Sequence, residues 1–296
     1  VSVIIPTYNC ADYLADAIES VQRQSLQEFE IIVVDDGSSD KTIERMRVFL
    51  EDARVTLIQQ VHRGLPSAAR NNGARHARGE YLAFLDADDQ LHPDALKAMS
   101  EALDEKQANW CVTDIYKIKP TGRELQRTPF PDGNRVHAIL RDDFVRRGIF
   151  FRTSTFLDVG MYDEHLLGRE DWDINIRMFL SATEMCYLPR PLYWYTWREG
   201  SITTGKRARM LEDTLKVLQK HHKVLAAAGD REIAAIYAES LWSLARCYLY
   251  ELRDYRRAAV CAFESLRYDF NAARLLHPFL HHWQTRKLRS SQSSAV

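Results

Sequence analysis

The chain has 296 residues, 46% of them apolar, and a formal net charge of −1 at pH 7. That is enough apolar material for a large core, in one α/β domain or a domain of roughly 200 residues with an appendage. No apolar run approaches the roughly 20 residues of a membrane span, and the five cysteines, Cys10, Cys111, Cys186, Cys247 and Cys261, never form a CxxC pair, which argues against a disulfide framework and a zinc site.

The near-neutral total conceals an asymmetry, because residues 1–202 are net acidic and residues 203–296 net basic. The two parts are expected to face different partners. Cysteine usage fits a reducing cytosol, and no nucleic-acid partner is expected. The chain starts at Val1, inside what reads as a strand, and no signal peptide is visible, so any targeting segment ahead of that strand would have been trimmed.

"VSVII" is a β-branched run, and "DYLADAIESVQRQ" places Leu14, Ile18 and Val21 on one helical face. "FEIIVVDDGSSD" reads as a second buried strand that ends at Asp35 and Asp36 in a Gly37 turn, with a helix "KTIERMRVFL" behind it. "VTLIQQ", "PSAARNNGARHA" and "YLAFLDA" give a further strand, helix and strand, followed by the helix "PDALKAMSEALDEK" with Pro93 at its start. This alternation predicts an α/β fold with a mostly parallel sheet flanked by helices, whose ligands bind at the carboxyl ends of the strands. The polar residues at those ends are Thr7, Tyr8 and Asn9, then Asp35 and Asp36, then Asp86, Asp88 and Asp89.

Neither G-x-G-x-x-G nor G-x-x-x-x-G-K-[ST] follows any strand, so a phosphate ligand would need a metal, Arg or Lys rather than a loop of backbone amides. Asp86-Ala87-Asp88 suits that task, since Mg2+ and Mn2+ take carboxylate oxygens and share them readily with a diphosphate.

"VSVIIPTYN", "IIVVDDGSSD", "GLPSAARNNGARHARGEYLAFLDADD", "VGMYDE" with "GREDWDINIRM", and "YWYTWREGSIT" resemble, in order and spacing, the successive motifs of the inverting family 2 glycosyltransferases, which have the GT-A fold. The resemblance covers residues 1–205 and implies a GT-A catalytic domain there, Rossmann-like, with a nucleotide-sugar half over about 1–110 and an acceptor half over about 111–205. It implies that Pro6 and Tyr8 flank the nucleotide base and that Asp36 accepts from a ring N–H. Asp35 is expected to pair with a neighbouring loop or to cap the next helix. Asp86 is placed near ribose and metal, Asp88 on an Mn2+ or Mg2+ ion bridging the two phosphates, and Arg70 around the diphosphate. Asp89 is read as a helix N-terminal residue pointing away from Asp88, and His62, Arg63 and His76 as surface residues.

From the same resemblance, Asp171 is the general base that takes the proton of an acceptor hydroxyl, and Glu170 orients that acceptor. Trp172, Ile176 and Phe179 have the spacing of an inward helix face. Among the aromatic residues, Trp172 and Trp194 are assigned to an acceptor platform, because sugar C–H faces pack on aromatic faces. Many relatives carry a His in a "YR-x-H-x-x-S" segment; here "WREGSIT" has Arg198, which cannot ligate a metal but can grip phosphate through a bidentate fork, with the backbone near Ser201 beside it. The implied partners are a nucleotide diphosphate-sugar, with UDP first among nucleotides, and a glycan or lipid-linked acceptor of bacterial surface polysaccharide or glycolipid assembly.

Beyond Gly205 the strand signals cease, and helices are expected over 207–228, 231–252, 255–268 and 271–282, a helical region of 206–285 with a disordered tail at 286–296. Ala245, Ala258 and Ala262 are read as facing Tyr248, Tyr255 and Phe263, similar to one tetratricopeptide-like unit. An antiparallel hairpin packed on the catalytic domain is the preferred reading of that pair. "RLLHPFLHHWQTRKLRS" fits a helix resting on an anionic membrane surface and equally a solvated tail, so the expected location is the cytoplasm, free or peripheral on the inner face of the membrane.

Two competing readings belong to other classes. A haloacid-dehalogenase-like phosphatase also ends a strand in Asp-x-Asp, but on its first strand, with Thr or Val following, whereas here the motif ends the fourth strand and Asp89 follows. A non-catalytic protein that only binds nucleotide sugar or assembles partners would have no need for Asp86, Asp88 and Asp171 together.

Overall fold

The computed structural model describes residues 1–131, 133–145, 147–198, 207–226 and 230–268. The chain divides into two compact units, Val1–Val217 and Leu218–Val296.

In the first unit the β-branched runs form the strands expected of them: β1 (Ser2–Thr7), β2 (Glu30–Asp35), β3 (Val55–Gln59) and β4 (Tyr81–Phe84). Between them lie α1 (Leu14–Gln22), α2 (Thr42–Met46) and α3 (Pro66–His76). The predicted helix over "KTIERMRVFL" is α2 followed by a 3-10 turn, Arg47–Glu51, because Val48, Phe49 and Leu50 give it no continuous apolar stripe. All four strands are parallel neighbours in the order β3-β2-β1-β4, with Thr7 beside Asp35 and Ile4 beside Phe84. β1, β2 and β4, buried on both faces, need the continuous apolar runs that the sequence supplies, whereas β3 at the end of the sheet is only partly buried.

The remaining elements are β5 (Gln90–Leu91), α4 (Ala95–Glu105), β6 (Trp110–Lys119), β7 (Gly122–Gln126), α5 (Arg135–Arg141), β8 (Ile149–Arg152), α6 (Thr153–Asp158), α7 (Glu170–Leu180) and β9 (Met185–Thr196). Here β8 pairs antiparallel with both β4 and β6, β7 antiparallel with β6, β5 antiparallel with β9, and β9 parallel with β6. The whole is a mixed sheet of nine strands among the described residues, flanked by helices.

Glycine makes one close approach possible. A Cβ at Gly73 would collide with Ile4 Cγ2 and meet Val34 Cγ2 at 3.1 Å, so α3 lies directly on β1 and β2 only because residue 73 has no side chain. That contact fixes the height of Arg70 and Asn71 above the strand ends.

Helix α8 (Arg207–Ala226) begins in the first unit and ends in the second. In the second unit α9 (Arg231–Tyr250), capped by Asp230, pairs with α10 (Tyr255–Tyr268). Arg257 lies over the Tyr248 ring and Ser265 Oγ donates to Ala238 O at 2.6 Å, so the two helices run in opposite directions. Ala245, Tyr248 and Ala258 are buried, but Tyr255 and Phe263 are 67% and 68% exposed, which corrects the expectation that they meet the small residues. The predicted helix 271–282, the basic segment after it and the tail 286–296 lie outside the described residues. None of the described helices is long and apolar enough to cross a membrane.

Candidate active site

The parallel order of β1, β2 and β4 sends their carboxyl ends to one edge, where the three polar loops meet. Asp35 turns inward to accept from Ser38 N at 3.2 Å, as a capping carboxylate does. Asp36 is buried and collects the loop that follows β3: its carboxylate accepts from Gln60 Nε2 at 2.7 Å, Arg63 N at 3.0 Å and Gly64 N at 2.9 Å. Tyr8, 44% exposed, carries the His62 ring stacked at 4.1 Å, and His62 Nδ1 is 2.8 Å from Asp36 O. His62 and Arg63 are exposed, as expected of surface residues, and they line this corner; Arg63 also pairs with Glu164 at 2.7 Å. His76 stays at the surface, against its own helix at Asn72 O. Pro6, on β1 beside Val34, lies at the base of the same corner.

After β4 the chain turns so that Asp89 N donates to Asp86 O at 3.0 Å, which gathers Asp86, Asp88 and Asp89 with carboxylate oxygens within 4.8 Å of one another. Such crowding of like charge needs compensation, and three guanidinium groups provide it. Arg70 Nη2 reaches Asp86 at 2.6 Å, Arg147 Nη1 reaches Asp86 at 3.1 Å and Asp89 at 3.3 Å, and Arg198 pairs with Asp88 while lying over the Tyr13 ring. Burial pushes the Asp86 carboxyl up, but Arg70 and Arg147 outweigh it and hold it below the usual range. Asp89 is pushed up to about 8 by burial and then by Asp86, with Arg147 opposing.

Asp89 is not at a helix N-terminus as expected. It is pinned to β9, accepting from Tyr193 Oη at 2.7 Å and Thr196 N at 2.8 Å, so its oxygens are spent on holding that strand against the turn. Asp86 and Asp88 are the half-buried members. Their donor set is all hard oxygen, and the like-charge strain that raises Asp89 is what a divalent cation would relieve, so the residues fit Mg2+ or Mn2+ held chiefly by Asp86 and Asp88. Arg198 stands on the Asp88 carboxylate and would yield to such an ion.

The second acidic group enters through α7. Arg169 adopts a left-handed conformation (φ +74°) that swings the chain into the helix, and Glu170 and Asp171 occupy its first turn, where the helix N-terminus favours negative charge. Helix α8 holds this entry: buried Asp213 accepts from Leu167 N at 3.0 Å and Gly168 N at 3.2 Å, and Arg169 Nε donates to Thr214 Oγ1 at 3.1 Å. The helical region thus begins as part of the unit that carries the site, past the boundary at 205 read from the sequence.

Arg70 joins the two acidic groups. While Nη2 holds Asp86, its Nη1 donates to Glu170 at 3.1 Å. Glu170 is pushed up to about 7 by burial and by Asp171, against Arg70. Asp171 is raised as well, by burial first and by Asp86, with the Arg70 and Arg147 guanidinium groups opposing. A carboxyl held above its usual range by a dry, charged surrounding is suited to accepting a proton near neutral pH. Asp173 is fully buried and engaged by Arg177 at 2.8 Å, a structural pair.

The two tryptophans assigned to an acceptor platform are elsewhere. Trp172 is 5% exposed and donates its indole N–H to Ile139 O at 2.6 Å, the inward position that the helical spacing with Ile176 also implied. Trp194 follows the alternation of β9 away from Tyr193 and Tyr195, and packs against His92 and under Arg123 at 4.8 Å. The aromatic residues on the aspartate face are Tyr193, Tyr195 under Arg147 at 4.0 Å, and Trp197, 38% exposed with Lys117 at 5.9 Å. Ser201, expected beside Arg198, lies outside the described residues.

The sequence model described as "Glycosyl transferase family 2" matches residues 2–157. The chain is 30% identical over 222 residues to the uncharacterized glycosyltransferase EpsJ of Bacillus subtilis, covering 69% of this chain and 62% of that protein. It is 30% identical over 252 residues to the succinoglycan biosynthesis protein ExoO of Rhizobium meliloti, covering 80% and 69%. Several matched relatives are much longer, and the chain spans only 29% of an uncharacterized glycosyltransferase of Rickettsia felis. Among solved structures, Staphylococcus aureus TarS 1-349 in complex with UDP-GlcNAc superposes with a TM-score of 0.66 at 18% identity, covering 90% of this chain and 89% of that one. The UDP complex of the same protein gives 0.61 at 22% identity, covering 86% and 73%. These two likenesses support the GT-A-like fold. Because the family match takes in more than half of the chain, from β1 to β8, the chain belongs to glycosyl transferase family 2.

Proposed function

We propose that the chain transfers a sugar from a nucleoside diphosphate-sugar to a hydroxyl of a glycan or lipid-linked acceptor, with inversion and with the help of Mn2+ or Mg2+. The observation that carries the reading is Arg70, one side chain that holds Asp86 and Glu170 at 2.6 and 3.1 Å and so keeps the aspartate cluster and the Glu170-Asp171 pair in one assembly. UDP is the favoured nucleotide, since the TarS structures of similar fold are complexes with UDP and UDP-GlcNAc. The family match and the kinship with ExoO favour an acceptor from surface polysaccharide assembly.

In this reading Tyr8 stacks on the base and Asp36 accepts from its ring N–H, with Pro6 below. His62 would vacate the Tyr8 face or close the other side of the base. Asp86 and Asp88 would hold the cation, which when bound would supply Lewis-acid stabilisation of the leaving diphosphate. Arg198, released from Asp88, turns its fork to phosphate oxygens. Asp171 takes the acceptor proton as the hydroxyl attacks from the face opposite the diphosphate, and Glu170, held by Arg70, orients that hydroxyl. Trp197, exposed at 38%, is the aromatic face open to sugar in place of Trp172 and Trp194.

The test is release of nucleoside diphosphate from UDP-, GDP- and dTDP-sugars with Mn2+, Mg2+ or chelator. Metal-dependent release from one donor is expected. Failure to bind any nucleotide, with or without metal, would overturn the proposal.

A further inference from the structure

Tyr13 is an aromatic residue to which the proposed chemistry assigns no part. It is 38% exposed, just ahead of α1, whose buried face is closed by Leu14, Ala17, Ile18 and Val21 without it. The turn that carries it is tied down from the side of α2: Cys10 N donates to Thr42 Oγ1 at 2.9 Å, Ala11 N to Asp40 Oδ2 at 3.2 Å, and Arg45 Nη1 to Ala11 O at 2.7 Å. Tyr13 N and Leu14 N both donate to Cys10 O at 3.0 Å, which closes the turn onto the helix. The ring is thereby held in place, and the Arg198 guanidinium, arriving from the end of β9, lies 4.1 Å from its centroid.

Two groups hold Arg198, the Asp88 carboxylate and this ring. Its Nε is buried and finds no acceptor among the described residues. A buried donor without a partner is unfavourable, and beside a cluster of aspartates fit for a cation it points to an oxygen supplied by a ligand. Were Asp88 the only hold, surrendering it to a cation would set free a long side chain with many rotamers. The ring face prevents this at no cost in hydrogen bonds, because it attracts the guanidinium by charge and leaves every N–H available.

We infer that Tyr13 is a positioning residue for the diphosphate: its ring keeps the Arg198 guanidinium in place when Asp88 turns to the cation, so that Nε and the two Nη groups donate to phosphate oxygens. The inference rests on the reading of Arg198 as a phosphate ligand. The ring face does this rather than the hydroxyl, so phenylalanine serves at position 13 and an aliphatic side chain does not.

The test uses the full chain with Tyr13→Leu and Tyr13→Phe. Binding of UDP with Mn2+ is measured by calorimetry, and binding of uridine, which has no phosphate, by NMR titration. Tyr13→Leu should weaken UDP about fivefold or more and leave uridine within about twofold of wild type, whereas Tyr13→Phe should keep both within about twofold. Arg198→Met should also weaken UDP, and in that background Tyr13→Leu should add less than about twofold, because the two residues act as one unit. Unchanged UDP affinity in Tyr13→Leu, an equal loss for uridine, a loss as large in Tyr13→Phe, or full additivity with Arg198→Met would each overturn the inference. A wild-type chain that binds no UDP would instead overturn the nucleotide reading on which it rests.

Discussion

Replacing Arg70 by methionine removes the positive charge at the centre of the site and keeps most of the apolar stem. Arg70 is nearly buried and its guanidinium serves Asp86 at 2.6 Å and Glu170 at 3.1 Å, so its loss strands two poorly solvated carboxylates and leaves Asp171 without its main opposing charge. Breaking a buried pair from one side costs about 3–5 kcal/mol. The cost depends on pH with a definite sign. Glu170 titrates at about 7 with Arg70 present, above its unfolded value, and higher without it. Folded variant therefore holds a proton that unfolded chain gives up, and its stability falls as pH rises. Between pH 7 and 8 the extra loss relative to wild type is about 1 kcal/mol. Urea unfolding of both proteins at pH 5, 7 and 8, without divalent metal, measures it. A penalty under about 1 kcal/mol, or one that does not grow with pH, would refute the claim that Arg70 neutralises both acidic groups.

Asp88→Asn should abolish the Mn2+ dependence of UDP binding in calorimetry while the fold persists; metal-dependent binding at wild-type affinity would refute the assignment. Gly73→Ala should cost about 1–3 kcal/mol in urea unfolding, since the new methyl strikes Ile4 and lifts α3 from β1. Asp213→Asn should cost about 1–3 kcal/mol and reduce turnover, with UDP binding unchanged, because it loosens the entry to α7 at Leu167 and Gly168 and touches no donor residue.

Local signals located the strands and helices of the first hundred residues well and the rest less so, for a physical reason. The strands β1, β2 and β4 are apolar runs buried on both faces, and α3 starts at Pro66, so composition alone marks them. Asp86 and Asp88 stand out because clustered carboxylates after a buried strand demand an explanation. Arg147 carries no such mark: it reaches Asp86 because β8 pairs antiparallel with β4, a contact that no neighbouring residue announces. His62 was hidden in the same way by the loop that Asp36 gathers. Trp172 and Trp194 show the opposite error. Their periodicity already placed one on an inward helix face and the other on the alternate side of a strand, and assigning them to sugar gave aromatic chemistry more weight than that pattern. For Tyr255 and Phe263, a helix pair read as sealed by aromatic residues leaves both in solvent.

The most direct test of the account separates donor binding from proton transfer at Asp171. With Mn2+ present, Asp171→Asn should bind UDP within about threefold of wild type by calorimetry. It should also release nucleoside diphosphate from the productive donor at least about a hundredfold more slowly, the range expected for loss of a general base. Wild-type release by that variant would contradict the account and move the base to another residue.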